Sequence, residues 1–256
     1  MLFRSATSGC LAIGATVGGG VGNNTTGGTW DLATCAFTVA PTICNAGAYS
    51  FVGGGFQNYA TGGTSTVVGG FDNKATTSWS AVLGGRGNIA SGTCFASLGG
   101  GRNNTASGMY SSLLGGSGNI SSGIYSFVGG GVTNTSSGLL SLIGGGLCNL
   151  SNNLFSVVAG GNANNTTGGT FNVTTCVWDV APTACTAGAN SFVGGGFQNQ
   201  ATGTGSIVVG GDNNTSAGAC SFIGGGALNA SCGSFNSVVV GGRCNVSSAT
   251  RASVVG

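Results

Sequence analysis

Thirteen asparagines punctuate the chain at a nearly fixed interval: Asn23, Asn58, Asn73, Asn88, Asn104, Asn119, Asn134, Asn149, Asn164, Asn199, Asn214, Asn229 and Asn245. Each anchors a unit of about fifteen residues that reads Ser-x-Val-x-Gly-Gly-x-x-Asn-x-Ala/Ser-Ser/Thr-Gly. Self-similarity at a fixed short period means stacked supersecondary units, none of which can bury its apolar face without the next.

The wording of the unit selects the kind of stack. Six residues before every marker Asn stands an aliphatic side chain, as in Val17, Val52, Leu98, Ile143 and Val239. A Gly-Gly pair begins two residues later, as in Gly54-Gly55 and Gly145-Gly146, and another Gly often follows the Asn by four, as in Gly62, Gly108 and Gly123. Gly costs about 1 kcal/mol inside a helix, and Val, Ile, Ser, Thr and Asn are weak helix formers. The unit therefore reads as strand, tight turn, strand, tight turn. The predicted fold is all-β: one parallel β-solenoid, or β-roll, of about fifteen-residue coils over residues 1–256.

Period-two alternation assigns the faces. Ser50, Val52 and Gly54 share one side, small or aliphatic, that suits a narrow coil interior. Phe51 and Gly53 share the other, and the equivalent rows are largely apolar too: Phe127, Leu142, Phe192, Ile207 and Phe222 in one, Val68, Leu83, Leu114, Val209 and Val240 in the next. A strand apolar on both faces is normally covered on both. Either an insertion folds over this row, or identical chains bury it against one another. The second reading is preferred, because contiguous apolar surface on this scale is rare on a soluble monomer; the expected partner is the chain itself, as a homo-oligomer or filament.

Eight of the thirteen marker asparagines have Ser or Thr two residues on and so match the glycosylation sequon. The other five carry Ala there (Ala60, Ala75, Ala90, Ala106, Ala201), which points to a demand for a small residue and not for a hydroxyl. A stacked turn ladder, with the amide bonded to backbone and to the equivalent Asn of neighbouring coils, explains the repetition better. Sequons off the ladder position, at Asn24, Asn103, Asn165, Asn172 and Asn213, are the stronger sites for surface sugar.

A longer repeat is superposed on the short one. A shift of 141 residues maps Ser50–Asn58 onto an identical stretch at Ser191–Asn199, giving super-repeat copies at about 15–155 and 156–256, the second incomplete. Each copy is interrupted once, at 30–49 and 171–190, and both interruptions keep Cys-x-x-x-x-Ala-Pro-Thr-x-Cys. They read as protruding loops or hairpins closed by disulfides Cys35–Cys44 and Cys176–Cys185; Cys220 and Cys232 flank a turn in adjacent coils as a further candidate pair. A spacing of nine with no His anywhere argues against a metal site. Ten cysteines point to an oxidising exterior, at an extracellular location or a cell or virion surface. No run of eighteen apolar residues suggests a membrane span.

The cadence Ser-x-Val-x-Gly-Gly-x-x-Asn-x-Ala-x-Gly-x-x-Ser resembles the head repeats of trimeric autotransporter adhesins of the YadA type, and related coils of viral and bacterial repeat fibres. The resemblance covers the chain from about residue 15. It implies a left-handed parallel β-roll, three chains side by side, surface display, and adhesion to host or matrix, with surface glycans or matrix as further expected partners. The Cys-closed loops and the 141-residue super-repeat are not part of that family's pattern.

Catalysis has little chemistry to draw on: four carboxylates (Asp31, Asp72, Asp179, Asp212), one lysine (Lys74) and no His leave no general base near neutrality. No catalytic residue, cofactor or metal is expected. The Gly-Gly-x-x-Asn turn lacks the Asp ligands of calcium-binding nonapeptide repeats, and six Lys and Arg in 256 residues make no nucleic-acid footprint. The leading expectation is a structural subunit of an extracellular fibre or surface filament, with adhesive loops. The alternative is a solenoid that binds ice or glycan through the hydroxyl row Thr26, Thr61, Thr76, Ser91, Ser107, Ser122, Ser137, Thr167 and Thr202.

Overall fold

The computed structural model describes residues 14–25, 29–31, 33–34, 36–39, 47–172, 177–180 and 188–256. Among these every regular element is a strand, and nearly all are two residues long. The chain divides into two compact units, Met1–Gly118 and Asn119–Gly256.

In the first unit, strands Thr16–Val17, Phe51–Val52, Thr66–Val67, Ala81–Val82, Ser97–Leu98 and Ser112–Leu113 pair in parallel, each with the next. Tyr59–Ala60, Lys74–Ala75, Ile89–Ala90 and Thr105–Ala106 form a second parallel row. A third line of contact is made by single bridges from Val21 through Phe56, Phe71, Arg86 and Arg102 to Ser117. The partners always occupy the same position of the fifteen-residue unit, so each coil is one rung and each position becomes a column.

The second unit repeats this plan. Its first row runs from Phe127–Val128 through Leu142–Ile143, Val157–Val158, Phe192–Val193, Ile207–Val208, Phe222–Ile223 and Val238–Val239 to Ser253–Val254. Its second row holds Ile120–Ser121, Thr135–Ser136 and Leu150–Ser151, then Gln200–Ala201, Thr215–Ser216, Ala230–Ser231 and Val246–Ser247. Asn165 bridges the two groups through Leu150 and Gln200. The parallel β-solenoid read from the repeat is the fold observed.

Strands this short follow from the corners. Two columns bend the chain through left-handed backbone whatever residue is present: Tyr49, Thr64, Trp79, Phe95 and Tyr110 have φ of 56–57°, and Gln57, Asp72 and Asn103 have φ of 50–53°. Such residues carry about 1 kcal/mol or more of strain each. The corner amides are fixed by bonds to the preceding rung, as Trp79 N–H to Gly63 O and Asp72 N–H to Phe56 O, both 2.9 Å. A third corner admits only glycine. At Gly70, with φ +96°, a Cβ would lie 2.2 Å from the Gly85 carbonyl oxygen of the next rung. The preceding residue of the pair is in open space, and a Cβ at Gly84 or Gly145 would meet nothing within 4 Å.

The interior is narrow and half polar. Val52, Val67, Val82, Leu98, Leu113, Val128, Ile143, Val158, Val193, Val208, Ile223 and Val239 are fully buried, beside columns of Ala or Ser and of Asn. Burial of each aliphatic side chain contributes about 1.5–3 kcal/mol.

Both interruptions contain antiparallel hairpins. Thr29–Asp31 pairs with Ala36–Val39, and Thr170–Asn172 with Val177–Val180, each with a register shift after the first residue. Trp30 stands opposite Phe37 in one and Phe171 opposite Trp178 in the other, so the two aromatic types exchange strands. Cys35, Cys44, Cys176 and Cys185, with their two expected disulfides, lie outside the described residues, as does Thr26.

Candidate functional surfaces

The Asn column is the most uniform feature. In the first unit Asn58, Asn73, Asn88 and Asn104 are completely buried. Asn73 Nδ2 donates to Gly69 O in its own rung and to Gly85 O in the next, both at 2.9 Å. Its Oδ1 accepts the main-chain N–H of Asn88 at 3.0 Å. The same triad recurs in the second unit at Asn134, Asn149, Asn199, Asn214 and Asn229. Direct amide-to-amide bonds are secondary: Nδ2 of Asn134, Asn214 and Asn229 each reach the preceding Oδ1 at 3.1 Å. The ladder therefore couples rungs chiefly through backbone. Its sequon matches from Asn119 to Asn229 are at most 1% exposed and have no room for sugar; Asn23 and the half-exposed Asn245 belong to the same column.

The sequons off the ladder divide. Asn24 and Asn165 are 6% and 1% exposed, which corrects their reading as sugar sites: each lies just past a ladder Asn and is buried with it. Asn165 Oδ1 is engaged by the N–H groups of Thr167 and Gly168 at 3.1 and 2.8 Å. Asn103 is exposed, and Asn172 and Asn213 are half-exposed.

Cys220 and Cys232 are both free and exposed, so the pairing suggested for them is not formed. They occupy different columns: Cys220 is a left-handed corner with φ 52°, bonded to Thr204 O, whereas Cys232 follows the inward Ser231 and is bonded to Ser247 O. Adjacent rungs bring together equal positions, and these are unequal ones.

Charged groups are few and exposed. Lys74 Nζ lies 3.3 Å from Asp72 Oδ1 and 5.7 Å from the Tyr59 ring centroid. Burial, and then the Asp72 charge, hold the Tyr59 phenol above its usual range. The Asp31 carboxylate is held below its usual value by the Ala33 N–H and then by the Thr34 hydroxyl. Asp179 faces Asn172 across the second hairpin at 3.5 Å, and Asp212 accepts from Asn213 Nδ2 at 2.7 Å. Among the described residues no three His, Cys, Asp or Glu side chains gather as a metal site. Among the described residues no helix is long and apolar enough to cross a membrane.

The outward rows of the first sheet are uncharged throughout and rich in large apolar groups. In the first unit Phe51, Val68, Leu83 and Leu114 are 39–59% exposed. In the second, Phe192, Val209 and Val240 are also exposed. Bulk is traded along the strand. Each of Phe51, Phe127, Phe192 and Phe222 is followed two residues on by Gly, where a Cβ would lie 3.2–3.5 Å from that ring's Cε1. Conversely Val68, Leu83 and Leu114 follow the smaller Thr66, Ala81 and Ser112. The hydroxyl row sits on the second sheet, with Thr61, Ser91, Ser107 and Ser137 half-exposed and Thr76 and Ser122 exposed, while Thr167 is buried.

Aromatic ladders went unread in the sequence. Trp79, Phe95 and Tyr110 stack at one corner with centroids 5.0 and 4.9 Å apart and planes within 7°. Phe56 stacks on Phe71 at 5.0 Å, and Arg86 covers the Phe71 ring at 5.2 Å. The signal was available, since each set shares a column of the period; its mixed composition concealed it. No protein-family model matches the sequence, and no curated protein is similar enough to it to count as a relative.

Proposed function

We propose that this chain is a structural subunit of an extracellular fibre or surface filament, built by lateral association of like solenoids in the manner of YadA-type heads, with the hairpins as adhesive projections of its own. The observation that carries the reading is the uncharged outward row of the first sheet, which exposes large apolar groups in each unit and passes bulk between its two columns at many rungs, as in Phe51/Gly53, Ala81/Leu83 and Phe192/Gly194. An apolar strip of this kind fits the same strip of a second copy, and its burial contributes about 25 cal/mol per Å². The low charge points the same way, since ten ionisable Asp, Lys and Arg in 256 residues give little colloidal repulsion.

Sedimentation velocity together with electron microscopy of the native chain tests it. Assemblies are expected, and Leu83→Asp with Leu114→Asp should return them to monomers while far-UV β signal is unchanged. A wild-type chain that stays monomeric at tens of micromolar, roughly the range where weak interfaces assemble, overturns the reading and transfers attention to the hydroxyl row.

A further inference from the structure

The left-handed corner of the first unit is an aromatic column with one step in it. Tyr49, Thr64, Trp79, Phe95 and Tyr110 share φ of 56–57°, and their amides bond rung to rung: Thr64 to Ala48 O, Trp79 to Gly63 O, Phe95 to Ser78 O, Tyr110 to Cys94 O. Their Cα–Cβ bonds thus leave the backbone in register. Four of the five are rings; the fifth is Thr64.

Exposure records the effect of that step. The rings on either side of it, Tyr49 and Trp79, are 65% and 55% exposed, whereas Phe95 and Tyr110 further up are 40% and 41%. Tyr49 has its far side against Gly14, where a Cβ would lie 2.6 Å from the ring, so its near side is the one turned to Thr64. The intervening rung is stripped of bulk, reading Gly62-Gly63-Thr64-Ser65-Thr66, and Phe51 flanks Tyr49 on the rung below. The column therefore has a step at Thr64 between the rings of Tyr49 and Trp79, with Thr66 beside Thr64 and Phe51 beside Tyr49 in sequence, and this step is the notch.

We propose that this notch binds one planar aromatic ring, which enters the column at the level of Thr64 and stacks between Tyr49 and Trp79. The spacing fits. Stacked neighbours in this column stand 5.0 and 4.9 Å apart, so two rungs leave room for one ring of about 3.5 Å thickness at offset-stacking distance on both faces. The chemistry fits as well. No charged side chain stands in this corner column or at the outward first-sheet positions two residues on (Phe51, Thr66, Ala81), which selects a neutral ring, and two Thr hydroxyls offer hydrogen bonds to a ring substituent. A sugar would stack on the same rings but is ordinarily held by carboxylate, amide or guanidinium groups, which the step lacks. The ligand class is a neutral, planar, hydroxylated or otherwise polar-substituted aromatic.

The test uses 2-naphthol as probe and methyl β-glucoside as the sugar comparison, with binding followed by saturation-transfer NMR and titration. The native chain should bind 2-naphthol and not the glucoside. Thr64→Phe, which places a protein ring in the notch, and Trp79→Ala, which removes one of its rings, should each weaken binding by about tenfold or more. Thr64→Phe should also raise the melting temperature by completing the ladder. Tyr125→Ala, a corner ring of the second unit, should leave the affinity within about twofold. The proposal is overturned if 2-naphthol does not bind, if Thr64→Phe binds it as the native chain does, if Tyr125→Ala loses it equally, or if only the glucoside binds.

Discussion

The main-chain N–H of Asn73 donates to Oδ1 of Asn58 at 3.0 Å, while Asn73 Oδ1 receives the N–H of Asn88 at the same distance. Each ladder residue is thus both a backbone donor to the rung before and a side-chain acceptor for the rung after. Asn73→Ala removes an acceptor and two donors from a completely buried site. At about 1–3 kcal/mol for each buried group left unpaired, a loss of roughly 3 kcal/mol or more is expected in urea unfolding. Asn73→Asp should be worse at neutral pH, because a carboxylate would face two carbonyl oxygens. Its folded pKa would be raised, so the variant should regain stability as pH falls through that raised value toward the ordinary carboxylate one. A variant as stable as the parent would show that the ladder is ornamental.

Buried serines pair across the coil where chemistry allows. Oγ atoms meet at 2.6–2.8 Å in Ser121–Ser126, Ser136–Ser141, Ser216–Ser221 and Ser231–Ser237. Where the first partner is Ala60, Ala106 or Ala201, the hydroxyls of Ser65, Ser111 and Ser206 are buried without a partner. Ala201→Ser should therefore stabilise by about 1 kcal/mol, and Ser206→Ala should be neutral or stabilising. Ser136→Ala should cost about 1 kcal/mol. Melting temperatures of the three variants check the pattern, and an unfavourable Ser206→Ala would refute it.

Neighbouring glycines of one pair should respond differently. At Gly70 a Cβ would come within 2.2 Å of backbone, whereas at Gly69 the nearest atom is 3.9 Å away. Gly70→Ala should lose several kcal/mol or fail to fold, and Gly69→Ala should stay within about 1 kcal/mol of the parent. Equal losses at both would refute the assignment of the glycine demand to the carbonyl contact and positive φ of Gly70.

Stability should be flat through neutrality, because no His titrates there. Asp31 has a folded pKa below its ordinary 3.8, held there first by the Ala33 N–H. Its contribution is present above that ordinary value and is lost as pH falls through the folded one. Tyr59 has a folded pKa above its ordinary 10.0, through burial and then Asp72. Its contribution is present below that ordinary value and is lost as pH rises through the folded one. Urea midpoints should hold between about pH 5 and 9; a midpoint that drifts within that window would reveal a coupled group not accounted for here.

The solenoid was legible because its interior tolerates so little. The aliphatic column from Val52 to Val239, the Asn column and the second Gly of each pair face hard limits of volume, donor count or φ, and such limits write themselves as repeats. The faces of Ser50 and Val52 followed from period-two logic alone. The corners at Tyr49–Tyr110 were not legible, since their left-handed backbone is imposed by bonds to adjacent rungs on residues that would not choose it. The ladder of Trp79, Phe95 and Tyr110 was hidden for a related reason: a stack asks only that rings coincide in column, and three different residues can satisfy it. Cys220 and Cys232 misled because proximity in sequence was taken for proximity in column.

The corner positions have a consequence for how such a chain can change. Their backbone shape is held by neighbouring rungs and not by their own side chains, so the side chains are free to be replaced. The two super-repeat copies record that freedom: Thr64, Trp79, Phe95 and Tyr110 correspond to Gly205, Cys220, Asn236 and Arg251, while the asparagines and aliphatic residues beneath them keep their identity or class. A ridge of rings in one copy has become a mixed, largely polar edge in the other without disturbing a rung. The scaffold works as a ruled page, on which lines of surface chemistry can be rewritten while the ruling stays fixed.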